Sequence, residues 1–131
     1  MATTENSYTT SDATTTDFAF TFPYMKEADV NIDVAGTKQH TTAYSFHDAT
    51  TIRLNTAPAS GVAVKVYRTT DDSGLTATFY PGSAIRSSDL NNNFTQNLYS
   101  TQEVVDRYIS KYGDIAMEGD LNLGGKNIIG L

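Results

Sequence analysis

The sequence predicts a mainly β protein: an antiparallel β-sandwich followed by one long α-helix and a glycine-rich trimerisation segment. From Asp17 to about Tyr80, short segments alternate apolar with polar residues and are separated by turn residues. From Ser88 to about Tyr112 there is no glycine or proline, and apolar residues recur at helical intervals. A polar sequence rich in glycine, GDLNLGGKNIIGL, follows. Strands grouped before a helix exclude the alternating pattern of a doubly wound α/β enzyme.

The sandwich is predicted over residues 17–86. In DFAFTF, the side chains of Phe18, Phe20 and Phe22 share one face, and Pro23 ends the strand because it cannot donate to a ladder. The same alternation gives further inward-facing residues: Val30, Ile32, Val34, Tyr44, Phe46, Ile52, Leu54, Val62, Val64 and Val66.

The helix is predicted over residues 87–113, with Ser88 suited to the N-cap, Asp89 to the first turn and Gly113 to the C-terminal stop. Its apolar positions step alternately by four and three, which is the a/d spacing of a coiled-coil seam. The seam consists of Phe94, Leu98, Thr101, Val105, Tyr108 and Tyr112. The opposite face is polar, with Asn92, Gln96, Glu103 and Asp106. The seam either covers the chain's own sandwich or packs against two further copies of the helix.

Residues 1–16 are rich in threonine and serine, and Tyr8 is their one large apolar anchor. We expect them to form a flexible N-terminal arm that adapts to a docking partner; simple terminal disorder is the alternative. The apolar edge of residues 114–131 is unpaired in a single chain.

Composition limits the function. The 131 residues carry a net charge of −6, no cluster of Lys or Arg and no cysteine. Binding of a nucleic-acid backbone is therefore disfavoured, and disulfides, thiolate zinc sites and cysteine nucleophiles are excluded. The N-terminus lacks the basic and apolar regions of a signal peptide, and no apolar run is long enough to span a membrane.

No catalytic, metal or cofactor site is predicted. His40 and His47 are interpreted as exposed polar residues, and Asp71–Gly74 as a turn because it lacks the alternating oxygens of a calcium loop. The stretch near the C-terminal end holds three carboxylates that we interpret as solvated, Asp114, Glu118 and Asp120.

The stretch FYPGSAIRSSDLNNNFTQNLYSTQEVVDR, Phe79–Arg107, resembles the N-terminal domain of tail fibres from T-seven-type podophages. In that family a G-S-x-L-R-x-x-D-L-N signature introduces a long helix. The matching residues are Gly82, Ser83, Ile85, Arg86, Asp89, Leu90 and Asn91, with isoleucine in place of the usual leucine at the third. The upstream DFAFTFPYM and VAVKVYRTTD segments resemble the family's strand layout, so the resemblance covers about residues 5–131.

Residues 114–131 resemble a second motif of phage fibres, M-x-G-x-L-x-(L/M)-x-G-x-x-I-x-x-L, which implies that they are the start of the fibre shaft. It matches here at Met117, Gly119, Leu121, Leu123, Gly125, Ile128 and Leu131. One chain contributes too few apolar groups for a core, whereas three chains around an axis contribute enough. The predicted trimer interface therefore comprises Phe94, Leu98, Thr101, Val105, Tyr108, Tyr112, Leu121, Leu123, Ile128 and Leu131.

The resemblance implies a structural virion protein and not an enzyme. It would be the N-terminal part of a homotrimeric tail fibre, made in the host cytoplasm, that attaches the fibre to the tail adaptor and nozzle proteins for host adsorption. A distal part beyond Leu131 would contact the host receptor. No cofactor, nucleic acid or membrane insertion is implied. The alternatives are the N-terminal anchor of a polysaccharide-degrading tailspike, and a carbohydrate-binding sandwich that uses Tyr24, Tyr67 or Tyr80.

The signature residues also have expected local roles. Gly82 allows the turn that leaves the β-domain. Arg86 would pair with Asp89 or with a carbonyl of a neighbouring chain, and Asp89 would favour the start of the helix. Leu90 would fasten the first helical turn to the sandwich.

Overall fold

Two antiparallel sheets pack face to face in a computed structural model, which describes residues 3–107 and 119–130. One sheet has the strand order β1-β7-β3-β4 and the other β2-β6-β5. The strands are β1 Glu5–Thr9, β2 Asp17–Ala19, β3 Val30–Val34, β4 Thr37–Lys38, β5 Tyr44–Asp48, β6 Thr51–Leu54 and β7 Ala63–Arg68, and the helix is α1 Ser87–Arg107. Short 3₁₀ turns at Glu27–Asp29 and Thr41–Ala43 lead into β3 and β5.

The core lies between the sheets, where the alternating pattern of the sequence places its inward residues. Phe20 and Phe22 stack with ring centroids 4.7 Å apart, and Tyr24 and Phe46 pack at the edge of this group. The predicted inward face is confirmed for the fully buried side chains: Phe18, Phe20, Phe22, Val30, Ile32, Ile52, Leu54, Val64 and Val66. The strand predicted over DFAFTF is shorter, since β2 ends at Ala19 while the inward alternation continues to Phe22.

The N-terminal arm predicted over residues 1–16 is wrong for Glu5–Thr9. These residues form β1, which pairs antiparallel with β7 over five residues, so the sandwich begins at Glu5 and not at residue 17. Tyr8 of this strand lies at the exposed margin of the core, with its ring 5.7 Å from that of Phe18.

Because every strand runs antiparallel to its neighbours, most connections lie at one of two opposite ends of the sandwich. The end that carries the connections 10–16, 35–36 and 55–62 is called the tip. The connection 39–43 crosses from β4 in one sheet to the tip end of β5 in the other. The other end, with connections 20–29, 49–50 and 69–86, is called the base.

The helix follows an irregular connection, residues 69–86, at the base. The predicted sandwich over residues 17–86 therefore has its last strand end at Arg68. The helix begins at Ser87, so Ser88 lies within the first turn and is not the N-cap. Its predicted end at Gly113 lies outside the described residues.

Candidate functional site

The helix contacts the base of the sandwich through charged and polar side chains. Arg68 is the last residue of β7, and its side chain is completely buried. Its Nε donates to Oε2 of Glu103 at 2.9 Å, and the Glu103 carboxylate is almost equally buried. A buried arginine needs such a partner, because an unpaired charge in this environment is strongly destabilising.

Both terminal nitrogens of Arg68 also donate hydrogen bonds. Nη1 donates to the Pro23 carbonyl at 2.7 Å, and Nη2 donates to Oε1 of Gln102 at 2.9 Å. The guanidinium lies 4.0 Å from the ring centroid of Tyr99, which is a cation–π contact. One side chain of the sandwich therefore binds two successive turns of the helix.

Glu103 completes the network from the helix side. Its carboxylate accepts hydrogen bonds from the backbone N–H of Thr70 and from the Thr70 hydroxyl, the latter at 2.7 Å. Because both oxygens are used, Glu103 fixes the rotation of the helix about its own axis relative to β7.

Two amide side chains of the helix hold the connection between β7 and α1. Gln96 accepts from the Thr76 backbone N–H at 3.2 Å and donates to the carbonyls of Asp71 and Gly74 at 2.8 and 2.7 Å. Asn93 exchanges two 2.9 Å hydrogen bonds with the backbone of Ala77. The first half of the helix is therefore docked onto the connection that leads to it.

The C-terminal end of the described helix reaches the residue before β1 and the outer side of β7. The Thr4 hydroxyl donates to the Asp106 carboxylate, and Arg107 donates to the Arg68 carbonyl at 2.5 Å. The Arg107 guanidinium also lies 5.6 Å from the ring of Tyr67. Burial is the largest cause that raises the pKa of Tyr67 to about 12, and the nearby Asp33 carboxylate adds to it.

Sequence reasoning missed this docked face. It assigned Gln96 and Glu103 to a polar face that needs no cover, yet both are buried against the sandwich. The signal was present in β7, where the alternation of Val64 and Val66 continues inward to Arg68. An arginine on an inward position requires a carboxylate from elsewhere in the chain.

The apolar stripe of the helix points away from the sandwich. The exposed fraction is 61 % for Phe94 and 54 % for Leu98. At 100° per residue these positions lie roughly opposite Gln96 and Glu103 on the helix. The first alternative, in which the seam covers the chain's own sandwich, is therefore wrong for Phe94 and Leu98.

Other seam residues fit the same stripe. Thr101 is exposed, and its hydroxyl donates to the Asn97 carbonyl at 2.8 Å, so it is satisfied within the helix. Val105 is half-buried. Leu90, exposed one turn before Phe94, extends the stripe although the sequence analysis did not include it in the seam. Tyr108 and Tyr112 lie outside the described residues.

The glycine-rich segment leaves its apolar side chains exposed. Leu121, Leu123 and Ile128 are all accessible, as is Ile129. Between them, Gly124 and Gly125 both have positive φ, and the Lys126 N–H donates to the Leu123 carbonyl at 3.0 Å. This turn requires glycine or asparagine at its centre. Met117 and Leu131 lie outside the described residues.

The signature residues form a turn and the first turn of the helix. Gly82 has φ +81°, and the Ser83 hydroxyl closes the turn by donating to the Tyr80 carbonyl at 2.6 Å. The Leu90 N–H donates to the Arg86 carbonyl at 3.1 Å, the first bond of the helix. Ile85, Arg86 and Asn91 are exposed and Asp89 is half-buried. Leu90 is also exposed on the outward stripe, so its expected role of fastening the helix to the sandwich is not the one it has here.

Among the residues set aside as catalytic or metal candidates, His40 precedes a short 3₁₀ turn, His47 lies in β5 and Asp71 lies in a turn. His40 and His47 are exposed, and the Nδ1 atom of His40 lies 2.9 Å from the Thr42 hydroxyl. Asp71 accepts from the N–H and hydroxyl of Ser73, as an aspartate in a turn does. Asp120 is exposed, and Asp114 and Glu118 lie outside the described residues. Among the residues that the structure describes, no helix is long and apolar enough to cross a membrane.

Comparison with known proteins identifies relatives of most of the chain. Residues 1–122 match the family described as "Phage T7 tail fibre protein, N-terminal domain". The "Anchor protein" of Klebsiella phage KP34 is 34% identical over 109 residues, which cover 82% of this chain and 35% of that protein. The "Anchor protein" of Klebsiella phage NTUH-K2044-K1-1 is 34% identical over 109 residues, covering 82% of this chain and 34% of its own length. The chain therefore spans about a third of the length of these relatives.

Proposed function

Because the chain belongs to the family of phage T7 tail fibre N-terminal domains, we propose that it anchors a homotrimeric fibre to the phage tail. As a tail fibre domain, the chain is a structural component of the virion. The proposed partners are two further copies of the chain and the adaptor and nozzle proteins of the tail. The name "Anchor protein" given to both Klebsiella phage relatives supports the anchoring role.

The observation that carries the proposal is the direction of the helix. A helix normally turns its apolar stripe toward its own domain and its polar face toward water. Here the sandwich packs against the polar face of the helix, where Gln96 and Glu103 are buried, while Phe94 and Leu98 are exposed. This arrangement is stable only because Arg68 and the connection 69–86 satisfy the buried polar groups.

The stripe has the chemistry of a helix–helix contact. Its members recur at intervals of three and four residues, which lets two or three helices interdigitate their side chains. Thr101 can be buried in such a contact without leaving its hydroxyl unpaired, because the Asn97 carbonyl of its own helix already accepts the hydrogen bond. Burial of each large apolar side chain contributes about 1.5–3 kcal/mol.

The glycine-rich segment is proposed to continue the trimer contact beyond the helix. Leu121, Leu123 and Ile128 are exposed in one chain and gain cover only from neighbours. Together with Tyr108, Tyr112 and Leu131 they would line the threefold axis at the start of the shaft.

The experiment that tests anchoring is competition. Tails that were assembled without fibres, from the phage that encodes this chain, are incubated with the purified 131-residue chain and then with complete fibre protein. We expect the chain to reduce fibre attachment in proportion to its concentration, measured by co-sedimentation of labelled fibres. Unchanged attachment at a large excess of the chain, together with no co-sedimentation of the chain itself, would contradict anchoring through this domain.

A further inference from the structure

We propose that Asn91 lies at the axis of the trimer, where its side-chain amide meets the Asn91 amides of two further copies and forms a hydrogen-bonded polar layer between the three helices. The proposal rests on the trimer contact proposed above and adds to it a residue that aligns the chains. Asn91 is the last residue of the G-S-x-L-R-x-x-D-L-N signature.

Asn91 occupies a position of the helix that repeats along the outward stripe. It lies seven residues before Leu98 and three before Phe94, so the alternating steps of three and four begin at Asn91. Its side chain is exposed, as are those of Phe94 and Leu98. The seam therefore starts one position earlier than its first apolar residue.

Three consecutive asparagines, Asn91, Asn92 and Asn93, stand in the second turn of the helix, although asparagine is a poor helix former. Asn93 has a role within the chain, since it exchanges two hydrogen bonds with the backbone of Ala77. At 100° per residue, Asn91 lies on the other side of the helix, where it is exposed. Packing within the described part of the chain therefore accounts for Asn93 but not for Asn91.

The symmetry of a trimer decides what Asn91 meets. Rotation about a threefold axis brings identical residues together at the same height, so the helices run parallel and each position of the stripe forms a layer of three copies. The sandwich packs on the opposite face of the helix, at Gln96 and Glu103, and so lies outside the contact between the helices. Asn91 of each chain then faces Asn91 of the other two.

An amide side chain suits such a layer because it carries both donors and an acceptor. The NH₂ group donates and the carbonyl oxygen accepts, so three identical amides can satisfy one another around the axis. An apolar surface of a different protein would leave the amide buried without a partner, and so would a slip of one heptad, which places Asn91 against Leu98. The occupants that fit this position are therefore two further copies of the chain, aligned with the first.

Thr101 shows by contrast why Asn91 carries the alignment. Its hydroxyl is already bonded to the Asn97 carbonyl of its own helix, so it is satisfied whichever residue lies opposite. The Asn91 amide gains its hydrogen bonds in the layer only from its own copies.

The test replaces the amide by a carboxylate of the same shape. In the proposed layer, Asn91→Asp brings three like charges together, so the contact weakens at neutral pH and recovers where the carboxylates are protonated. The matched control is Asn92→Asp, the same change at an exposed position that faces away from the stripe. The nearest charged residues are Arg86, which precedes the helix, and Asp89, which lies two residues before Asn91 on the side of the sandwich.

Both substitutions are made in a complete fibre protein that carries this domain and has Leu98→Cys as a reporter, with any other cysteine replaced by serine. The rate of disulfide formation under a mild oxidant reports how closely the helices meet, and comparing the two variants at each pH cancels the pH dependence of the thiol. We expect Asn91→Asp to cross-link at least about fivefold more slowly than Asn92→Asp at about pH 8, and within about twofold of it at about pH 5. Circular dichroism of the 131-residue chain with each substitution establishes that the domain is folded.

The outcomes separate this proposal from the one on which it rests. If the reporter without either substitution does not cross-link, the trimer contact along the stripe is itself wrong. If it cross-links and the two aspartate variants do so at equal rates at both pH values, the stripe contact stands and the Asn91 layer is overturned. A slower rate for Asn91→Asp that persists unchanged at about pH 5 would also overturn the layer, because repulsion between carboxylates is lost on protonation.

Discussion

At the scale of single residues, Arg68 determines which side of the helix packs against the sandwich. It ends β7 on an inward position, and its guanidinium contacts the helix, the Pro23 carbonyl and the Tyr99 ring. A leucine at this position would fill space but would not select which side of the helix packs there. The ion pair with Glu103 supplies that selection, at the cost of desolvating two charges.

Removing one partner of the Arg68–Glu103 ion pair should destabilise the folded state. We expect Glu103→Gln to lower the free energy of unfolding by about 3–5 kcal/mol, because the Arg68 charge stays buried without its counterion. The double variant Arg68→Met with Glu103→Leu should recover much of that loss. Urea unfolding measures both, and Asp72→Asn, on an exposed acid, is the control expected within about 0.5 kcal/mol. A double variant that is no more stable than Glu103→Gln would contradict the pairing.

The contribution of Asp29 to folding stability changes with pH in the opposite direction to that of a hydrogen-bonded surface aspartate. Its carboxyl is buried at the base, and burial is the main cause that raises its pKa, with Lys26 and Asp71 as charged neighbours. The folded state therefore holds the proton more tightly than the unfolded state does. The contribution of Asp29 to stability rises as the pH falls through the raised pKa, and it is unfavourable at neutral pH.

We therefore expect Asp29→Asn to melt at a higher temperature than the unmodified chain at pH 7, with the difference shrinking toward about pH 4. Asp17 is the control of opposite sign, because its hydrogen bonds with Arg53 at 2.6 and 2.8 Å lower the pKa of its carboxyl. Asp17→Asn should melt lower at pH 7, and that difference should close as the pH falls through the lowered pKa. Parallel pH profiles for the two variants would contradict both assignments.

At the scale of elements, the connection 69–86 depends on the helix for its shape. It has no strand or helix of its own, and Gln96 and Asn93 supply hydrogen bonds to its backbone. A long connection without regular structure is ordered here because amide side chains act as its backbone partners.

Hydrogen exchange tests this dependence residue by residue. Gln96→Ala should speed exchange of the Thr76 amide at least about fivefold, since that N–H loses its acceptor, and should leave the Ala77 amide nearly unchanged. Asn93→Ala should do the reverse. Equal acceleration of both amides in both variants would mean that the helix detaches as a whole, and not that each side chain holds its own part of the connection.

Most elements could be predicted from the sequence because their signal is local. Alternation identified the inward residues of β2, β3, β6 and β7, and the absence of glycine and proline identified the helix. The strand β1 was missed because its inward positions are Asn6 and Tyr8, which give a weak alternation. Its pairing is with β7, more than fifty residues away, and such a partner leaves no mark on the local pattern.

At the scale of the whole molecule, the candidate site could be predicted only in part. The spacing of Phe94, Leu98 and Thr101 showed that a seam exists, but spacing alone could not decide whether the seam faces inward or outward. That decision depends on the pairing of Arg68 with Glu103, two residues 35 positions apart. The outward direction is what makes assembly with further copies of the chain the best account of the helix.

Cross-linking tests that account most directly, because these 131 residues contain no cysteine. Leu98→Cys is introduced into a complete fibre protein that carries this domain, with any other cysteine replaced by serine. Ser60→Cys, an equally small exposed change at the tip, is the control. A disulfide forms only where two Cα atoms approach within about 7 Å, so a mild oxidant reports which positions meet their copies.

We predict that Leu98→Cys gives covalently linked pairs of chains on a non-reducing gel, with the third chain of each trimer left single, and that Ser60→Cys gives none. If the fibre has the mass of a trimer while Leu98→Cys chains all remain single after oxidation, the outward stripe is not the contact that joins the three chains.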